Sequence, residues 1–279
     1  MAQFTNCKLE EIETLKKSGT VVVAISDDDA TNKSVQEAMT FYWTASKFNV
    51  IKKSELAAYV KANPENYVLT YLLDNGTHFF NMTTTSATAN TITNTTTSHT
   101  ANAIGDGLIL TKNVKKIKNL KPTDAMVYCF MDADMGLVSE QAEFIRQVGS
   151  INSILTFPKL QENQIGKWKV PTINQKEVIT KELWIADADL NKKGEDEAKM
   201  AAAYKPYKYK IVTKEEIAKA IIEKRKDIVY LACAEYQTGA FMFLIHNPEN
   251  NRVLFFLPGT RGFDTKGFEK IKSNKVYGQ

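Results

Sequence analysis

The stretch KFNVIKKSELA at residues 47–57 returns, with its apolar positions kept, as KYKIVTKEEIA at residues 208–218. The separation is 208 − 47 = 161 residues, and this shift aligns residues 39–68 with residues 200–229 without a gap. Identical pairs are few, so the preserved apolar class is the stronger evidence: Val50/Ile211, Ile51/Val212, Leu56/Ile217 and Val60/Ile221. Self-similarity over this length predicts that the chain contains two copies of one structural unit.

Each copy has the pattern strand, helix, strand, helix, strand, strand. Residues 21–25 (VVVAI) are a continuous apolar run, typical of a strand that is covered on both faces. The amphipathic helix after it is predicted from one apolar stripe: Val35, Ala38, Met39, Tyr42 and Trp43. The fold class is therefore α/β, of the mixed α+β kind, with two tandem repeats that each combine a mixed sheet with packed helices.

The last two strands of each copy are predicted as hairpins. In the first copy, Asp74-Asn75-Gly76 is a hairpin turn that leads into a strand at residues 77–82. In the second copy the corresponding strands are Ile228–Ala234 and Ala240–Ile245. Gly105-Asp106-Gly107 is interpreted as a further turn.

The alignment predicts a first repeat at residues 1–118, a connector at 119–175 and a second repeat at 176–279. The connector contains a predicted strand, Ala125–Phe130, and a predicted helix, Leu137–Leu155. Residues 83–103 have no counterpart, and ten of these 21 residues are Thr. They form either a mobile loop, which we favour, or a hairpin of Thr-rich strands.

Composition excludes several classes of protein. Among 279 residues, Lys and Arg number 36 against 32 Asp and Glu, and a net charge of +4 is too small to indicate a nucleic-acid surface. The basic clusters at Lys112–Lys121 and Lys266–Lys275 are interpreted as solvated faces. No apolar run is long enough for a transmembrane segment. Three cysteines, Cys7, Cys129 and Cys233, do not indicate a disulfide framework.

An Asp-x-Asp pair follows an apolar run twice, as Asp132-Ala-Asp134 and as Asp187-Ala-Asp189. Carboxylates at this spacing can bind Mg²⁺, as phosphoryl- and glycosyl-transfer enzymes require, so Asp132 and Asp134 are the candidate metal ligands. The simpler interpretation, which we favour, is that these acids cap helices, because Asp189 aligns with Asp28 at the start of a predicted helix.

Other catalytic signals are weak. His78, His99 and His246 are not at ligand spacing and are interpreted as surface or sheet histidines. The glycine-rich segment 259–267 lacks a phosphate-loop ending. No nucleophile motif is present in the sequence. The sequence therefore favours a protein that uses no cofactor and is not an enzyme.

The order of elements from Val21 to Phe80, with the phrase KFNVIKKSEL at Lys47–Leu56, resembles the α/β domain of the TolB amino-terminal type. Secretion proteins of the CsgG type share this domain, and uncharacterised, duplicated extracytoplasmic bacterial proteins are also similar. The resemblance implies a non-catalytic binding module that works in or near the cell envelope. The compartment is expected to be periplasmic or extracytoplasmic if an export signal has been trimmed, and cytoplasmic otherwise.

Three hypotheses about function follow. The first is a scaffold or binding module that contacts a protein partner, in which replacing Asp132 or Asp187 changes stability by only about 0.5–2 kcal/mol, as for a helix cap. The second is a Mg²⁺-dependent transferase that uses Asp132 and Asp134. The third is a small-ligand receptor with its site in the cleft between the repeats.

Overall fold

The computed structural model of the chain describes residues 2–4, 8–72, 83–88, 91–96, 107–112, 120, 124–156, 175–191, 197–237, 240–259 and 262–273. The first half contains β1 (Ala2–Phe4), α1 (Leu9–Ser18), β2 (Thr20–Val23), α2 (Asp29–Tyr42), β3 (Lys47–Val50), α3 (Leu56–Ala62), β4 (Tyr67–Leu72), β5 (Thr83–Thr88), β6 (Thr91–Thr96), β7 (Gly107–Thr111) and β8 (Val127–Phe130). Then follow α4 (Ala133–Val138), α5 (Glu140–Leu155) and α6 (Gln175–Thr180). The second half contains β9 (Glu182–Ala186), α7 (Glu197–Tyr204), β10 (Tyr209–Val212), α8 (Lys214–Ile222), β11 (Ile228–Gln237), β12 (Ala240–His246), β13 (Val253–Gly259) and α9 (Thr265–Ser273).

Two mixed sheets with the same topology confirm the predicted fold class. The strand order is β3-β2-β4-β7-β8-β1 in the first sheet and β10-β9-β11-β12-β13 in the second. In each sheet the first strand of the repeat has a parallel neighbour on both sides, β3 and β4 or β10 and β11. Antiparallel strands then extend the sheet beyond β4 or β11. Apart from β1, which pairs with β8 and gives the first sheet a sixth strand, the two halves therefore share strand order and direction.

The first sheet differs from the sequence-based prediction in its second half. Residues 73–82, where we predicted a hairpin strand, lie outside the described residues. The place beside β4 is taken by β7, which pairs antiparallel with it. Gly107, which we assigned to a turn, begins β7, and a side chain there would collide with the carbonyl of Cys129 on β8. The strand that we placed in the connector is β8, and it belongs to this sheet.

The Thr-rich segment contains two strands that pair with each other. Strands β5 and β6 pair antiparallel in a separate two-stranded sheet, with Thr85 opposite Asn94. For residues 83–88 and 91–96 this is the second of our two alternatives, and the mobile loop that we favoured is wrong there; the rest of the segment lies outside the described residues. Thr prefers extended backbone, which explains why the segment pairs despite its low apolar content.

One apolar core joins the two halves. Buried residues from a face of each sheet contact α2, α5 and α8, which lie between the sheets. Helix α5 is central, since twelve of its sixteen residues are buried. The first sheet contributes the face that carries α2, whereas the second contributes the face that carries α8. Because α8 aligns with α3, the repeats contact each other through faces that do not correspond.

The outer faces of the two sheets have their own helices. Helix α3 covers a small cluster on the first sheet that includes Val22 and Val68. Helices α7 and α9 cover the outer face of the second sheet, where Tyr204 packs against Phe268. The order of layers is therefore helix, sheet, helices, sheet, helices, and α4 and α5 lie where the two halves meet.

Candidate functional site

Asp132 lies between β8 and α4 and is almost completely buried, with 1% of its surface exposed. It caps α4, because its carboxylate accepts a hydrogen bond from the Met135 N–H at 3.1 Å. The same carboxylate accepts one from the Cys233 N–H at 3.0 Å. Both of its oxygens also contact the Lys214 ammonium, at 3.0 and 2.8 Å. Asp132 is therefore a helix cap, as predicted, and in addition an ion-pair partner, which the sequence did not indicate.

Lys214 joins Asp132 to Asp189. It is the first residue of α8, whose start is fixed by a capping box between Thr213 and Glu216. Its ammonium lies 2.9 Å from a carboxylate oxygen of Asp189, which follows β9. Asp189 and Lys214 are 4% and 5% exposed. We call Asp132, Lys214 and Asp189 the ionic triad; it places two carboxylates and one ammonium inside the protein.

The pKa values of the ionic triad move in different directions. Burial pushes the pKa of Asp132 up, but the charges of Lys214 and Arg146 outweigh it and leave this pKa below its usual value. Burial raises the pKa of Asp189 to about 7, and the negative charge of Asp132 acts in the same direction. Burial alone would lower the pKa of Lys214, yet the two carboxylates raise it well above its usual range. At neutral pH Lys214 is therefore charged, and Asp132 is the more fully ionised of its two partners.

A second buried ion pair adjoins the ionic triad on α5. Arg146 Nε donates to a carboxylate oxygen of Glu143 at 2.7 Å, and Arg146 also donates to the carbonyl of Phe130 at 2.6 Å. The other Glu143 oxygen accepts from the Asp132 N–H at 3.0 Å. A series of ion pairs and hydrogen bonds therefore runs from the second repeat through Asp132 to α5.

A cavity of about 550 Å³ adjoins α4, whose Gly136 and Leu137 are among its lining residues. It is at the carboxyl ends of β2, β4 and β8, and α2, α4 and α5 complete its walls. Its apolar lining comes from Ile25, Val35, Met131, Leu137 and Phe144. The chain passes from β2 to β3 on one side and then crosses to β4 on the other. Open α/β sheets bind ligands in the crevice that this reversal creates.

Polar groups of the cavity come from the same elements. Hydroxyl groups are supplied by Ser26, Thr31, Ser34 and Tyr71, and carboxylates or amides by Glu140, Gln141 and Glu143. Burial raises the pKa of Tyr71 well above its usual value, so its hydroxyl stays neutral and can donate a hydrogen bond. Glu143 is committed to Arg146. The cavity thus combines an apolar surface with several hydrogen-bonding groups, as small-molecule sites commonly do.

The candidate metal ligands occupy different surroundings. Asp132 is buried and engaged, whereas Asp134, in the first turn of α4, is exposed. Within the described residues, no group of three or more His, Cys, Asp or Glu side chains is arranged to hold a metal ion. The contacts of Asp132 favour its interpretation as a structural residue.

The aspartates of the other turns either accept hydrogen bonds from backbone N–H groups or pair with a lysine. Asp28 caps α2, because its carboxylate accepts from the Thr31 N–H at 2.7 Å, as predicted. Asp27 instead accepts from the Ser54 N–H at 2.7 Å, in the turn before α3. For Asp189 the capping prediction is wrong: the 3-10 turn that contains it has no side-chain cap, and its carboxylate faces Lys214.

Of the histidines and cysteines singled out in the sequence, Cys7, His78 and His99 lie outside the described residues. His246 is fully buried at the end of β12 and stacks on Tyr230, which agrees with its interpretation as a sheet histidine. Burial and the charge of Arg146 hold the pKa of His246 well below its usual value, so it is neutral. Cys129 and Cys233 are free thiols.

Comparison with known proteins gave no assignment: no protein-family model, no curated protein and no solved structure matches this chain. The resemblance to the TolB and CsgG domains stays a prediction. Across the described ranges, none of the helices combines the length and the apolar content that crossing a bilayer requires.

Proposed function

We propose that this protein is a non-catalytic binding protein that takes a small ligand in the cavity at the carboxyl edge of its first sheet. The observation that carries the proposal is the cavity itself, about 550 Å³ in volume, at the point where β2 has β3 on one side and β4 on the other. A volume of this size fits the range of sites that enclose small molecules. This site differs from the one that our third hypothesis placed in the cleft between the repeats: it lies at the edge of the first sheet, and α4 and α5 of the predicted connector are among its walls.

The lining indicates the class of ligand. No Lys, Arg or His is among the described residues that line the cavity, while Glu140 is, and the charge of Glu143 is already balanced by Arg146. An anionic ligand would lack a charge partner there, and its desolvation would be unfavourable. We therefore propose a neutral or cationic ligand, such as an amine or a polyol, with an apolar part that contacts Met131 and Phe144.

The test is a thermal-shift screen of amines, polyols and carboxylic acids, followed by calorimetric titration of each compound that stabilises the protein. We expect stabilisation by neutral or cationic compounds. Replacing Ser34 by Phe fills the cavity from α2 and should weaken binding about tenfold or more, which is about 1.4 kcal/mol.

Lys33→Phe is the matched control, because Lys33 is the neighbour of Ser34 on α2 and is exposed. It should leave affinity unchanged. A screen without any stabilising compound at millimolar concentration would contradict the proposal, and so would a ligand that binds Ser34→Phe as well as the wild type.

A second candidate function, contact with a protein partner, is favoured by α4. Leu137 exposes 73% of its surface and Val138 exposes 37%, and Leu137 also lines the mouth of the cavity. An apolar side chain of a partner could enter the cavity and cover Leu137, as interface anchors do. This arrangement would serve the scaffold role that the sequence predicts.

In that case Leu137→Asp should abolish capture of a partner by the immobilised protein, since it places a charge at the centre of the contact. The same change should leave the free energy of unfolding within about 0.5 kcal/mol, because Leu137 is exposed. Ile222→Asp, on the exposed part of α8, is the control. A partner that binds Leu137→Asp and wild type equally would exclude this surface.

A further inference from the structure

The ionic triad joins the two repeats and carries unequal charge. Asp132 comes from the end of the first sheet, while Asp189 and Lys214 come from the second repeat. One ammonium lies within 2.9 Å of a carboxylate oxygen from each side. When both acids are ionised, the triad therefore has one negative charge in excess, and that charge is buried.

The surrounding groups do not cancel this excess. Asp134 on α4 adds negative charge near Asp189, and the thiol of Cys233 on β11 is neutral because burial raises its pKa. On α5, Glu143 and Arg146 neutralise each other. Asp132, with three kinds of donor on its oxygens, is already stabilised as the anion. Asp189 is therefore the group on which an added proton removes the excess charge.

We propose that the ionic triad is a proton-sensitive contact between the repeats: protonation of Asp189 strengthens the docking of the second repeat on α4, and its ionisation weakens that docking. This inference does not depend on the cavity binding a ligand. Because Asp132 caps α4, and α4 forms a wall of the cavity, the triad also holds one side of that cavity in place.

The direction of the effect follows from linkage. The pKa of Asp189 is raised by burial from its ordinary value of 3.8 to about 7 in the folded protein. Between these two values the folded state binds a proton that the unfolded state does not. The contribution of Asp189 is thus fully present below the unfolded pKa and is lost as pH rises through about 7.

The experiment compares urea unfolding of the wild type and of Asp189→Asn at several values between about pH 5 and about pH 8. Asn imitates the protonated acid and does not titrate. We expect the midpoint of the wild type, relative to that of Asp189→Asn, to fall as pH rises. Other titrating groups, including His246, whose effect has the opposite sign, cancel in this difference.

Asp187→Asn is the matched control, since Asp187 lies in the same 3-10 turn and is exposed. Its midpoint should follow the pH profile of the wild type. A difference between wild type and Asp189→Asn that stays constant over the range would overturn the proposal.

A second measurement uses only the wild-type protein, so it does not depend on whether a variant folds. The carboxyl carbon of Asp189 in the wild-type protein is followed by NMR as pH is changed. Titration near neutral pH is the expected result, and titration in the ordinary range of an aspartate, around 4, would overturn the proposal.

Discussion

Lys214→Met is expected to destabilise the protein by about 3–5 kcal/mol at neutral pH, because it leaves the buried Asp132 carboxylate, and the ionised fraction of Asp189, without a cation. Methionine keeps most of the volume of the side chain, so the loss is mainly that of charge. Chemical denaturation at neutral pH measures it. Part of the lost stability should return as pH falls, since protonation of Asp132 and Asp189 removes the unpaired charges.

Lys219→Met is the control for this change. Lys219 lies on the same helix, its side chain is 74% exposed, and its ion pair with Glu223 spans 3.7 Å. Exposed pairs of this kind contribute about 0.2–1 kcal/mol, so the control should be nearly neutral. Equal effects of the two substitutions would mean that Lys214 is no more important than a surface lysine.

Arg146→Met is the second change with a large expected effect, again about 3–5 kcal/mol at neutral pH. Arg146 is fully buried, and its removal takes the guanidinium away from the buried Glu143 carboxylate and from the Phe130 carbonyl. Burial already raises the pKa of Glu143, and without Arg146 this pKa should rise further. Chemical denaturation at neutral pH again gives the loss of stability.

Arg252→Met provides the comparison, because Arg252 pairs with Glu177 at 2.7 Å while its side chain is 40% exposed. We expect a loss below about 1 kcal/mol there. If Arg146→Met were as mild as this control, the polar connection between the ionic triad and α5 would not stabilise the fold.

The duplication could be predicted because it rests on local patterns. Apolar positions at helix and strand spacing are kept between the copies, and capping residues such as Asp28 and Thr213 lie where helices begin. The two sheets accordingly have the same strand order, apart from the additional β1 of the first sheet. The sequence-based prediction fails where a strand pairs with residues that are far away in the chain. Strand β7 has its partner 35 or more residues earlier in the chain, beyond the reach of a pattern in one segment.

Helix α5 shows the same limit of sequence-based prediction. Glu143, Arg146 and Ser150 lie among apolar residues of α5 and resemble a solvent-facing side, yet all are buried. A sequence pattern cannot show that the rest of the fold covers that side, where Glu143 accepts from the Asp132 N–H and Arg146 donates to the Phe130 carbonyl. The spacing of Glu143 and Arg146, three residues apart on a helix, was the available signal of an ion pair.

Aligned residues of the two copies have different roles for a related reason. When the two copies are aligned at a shift of 161 residues, Asp189 corresponds to Asp28, and Lys214 to Lys53. Asp28 and Lys53 are exposed, whereas their counterparts are buried and paired. The repeats contact each other through different faces, so α4 covers this position only in the second copy. Shared architecture therefore predicted the turn but not its environment.

The structural role of Asp132 is tested by a double-mutant cycle between Asp132 and Lys214, with Asp132→Asn and Lys214→Met measured alone and together by chemical denaturation. If Asp132 is a structural residue that pairs with Lys214, the coupling between the two residues should be about 2–3 kcal/mol. Additive effects, within about 0.5 kcal/mol, would contradict it. So would Mg²⁺ binding to the wild type that Asp132→Asn abolishes.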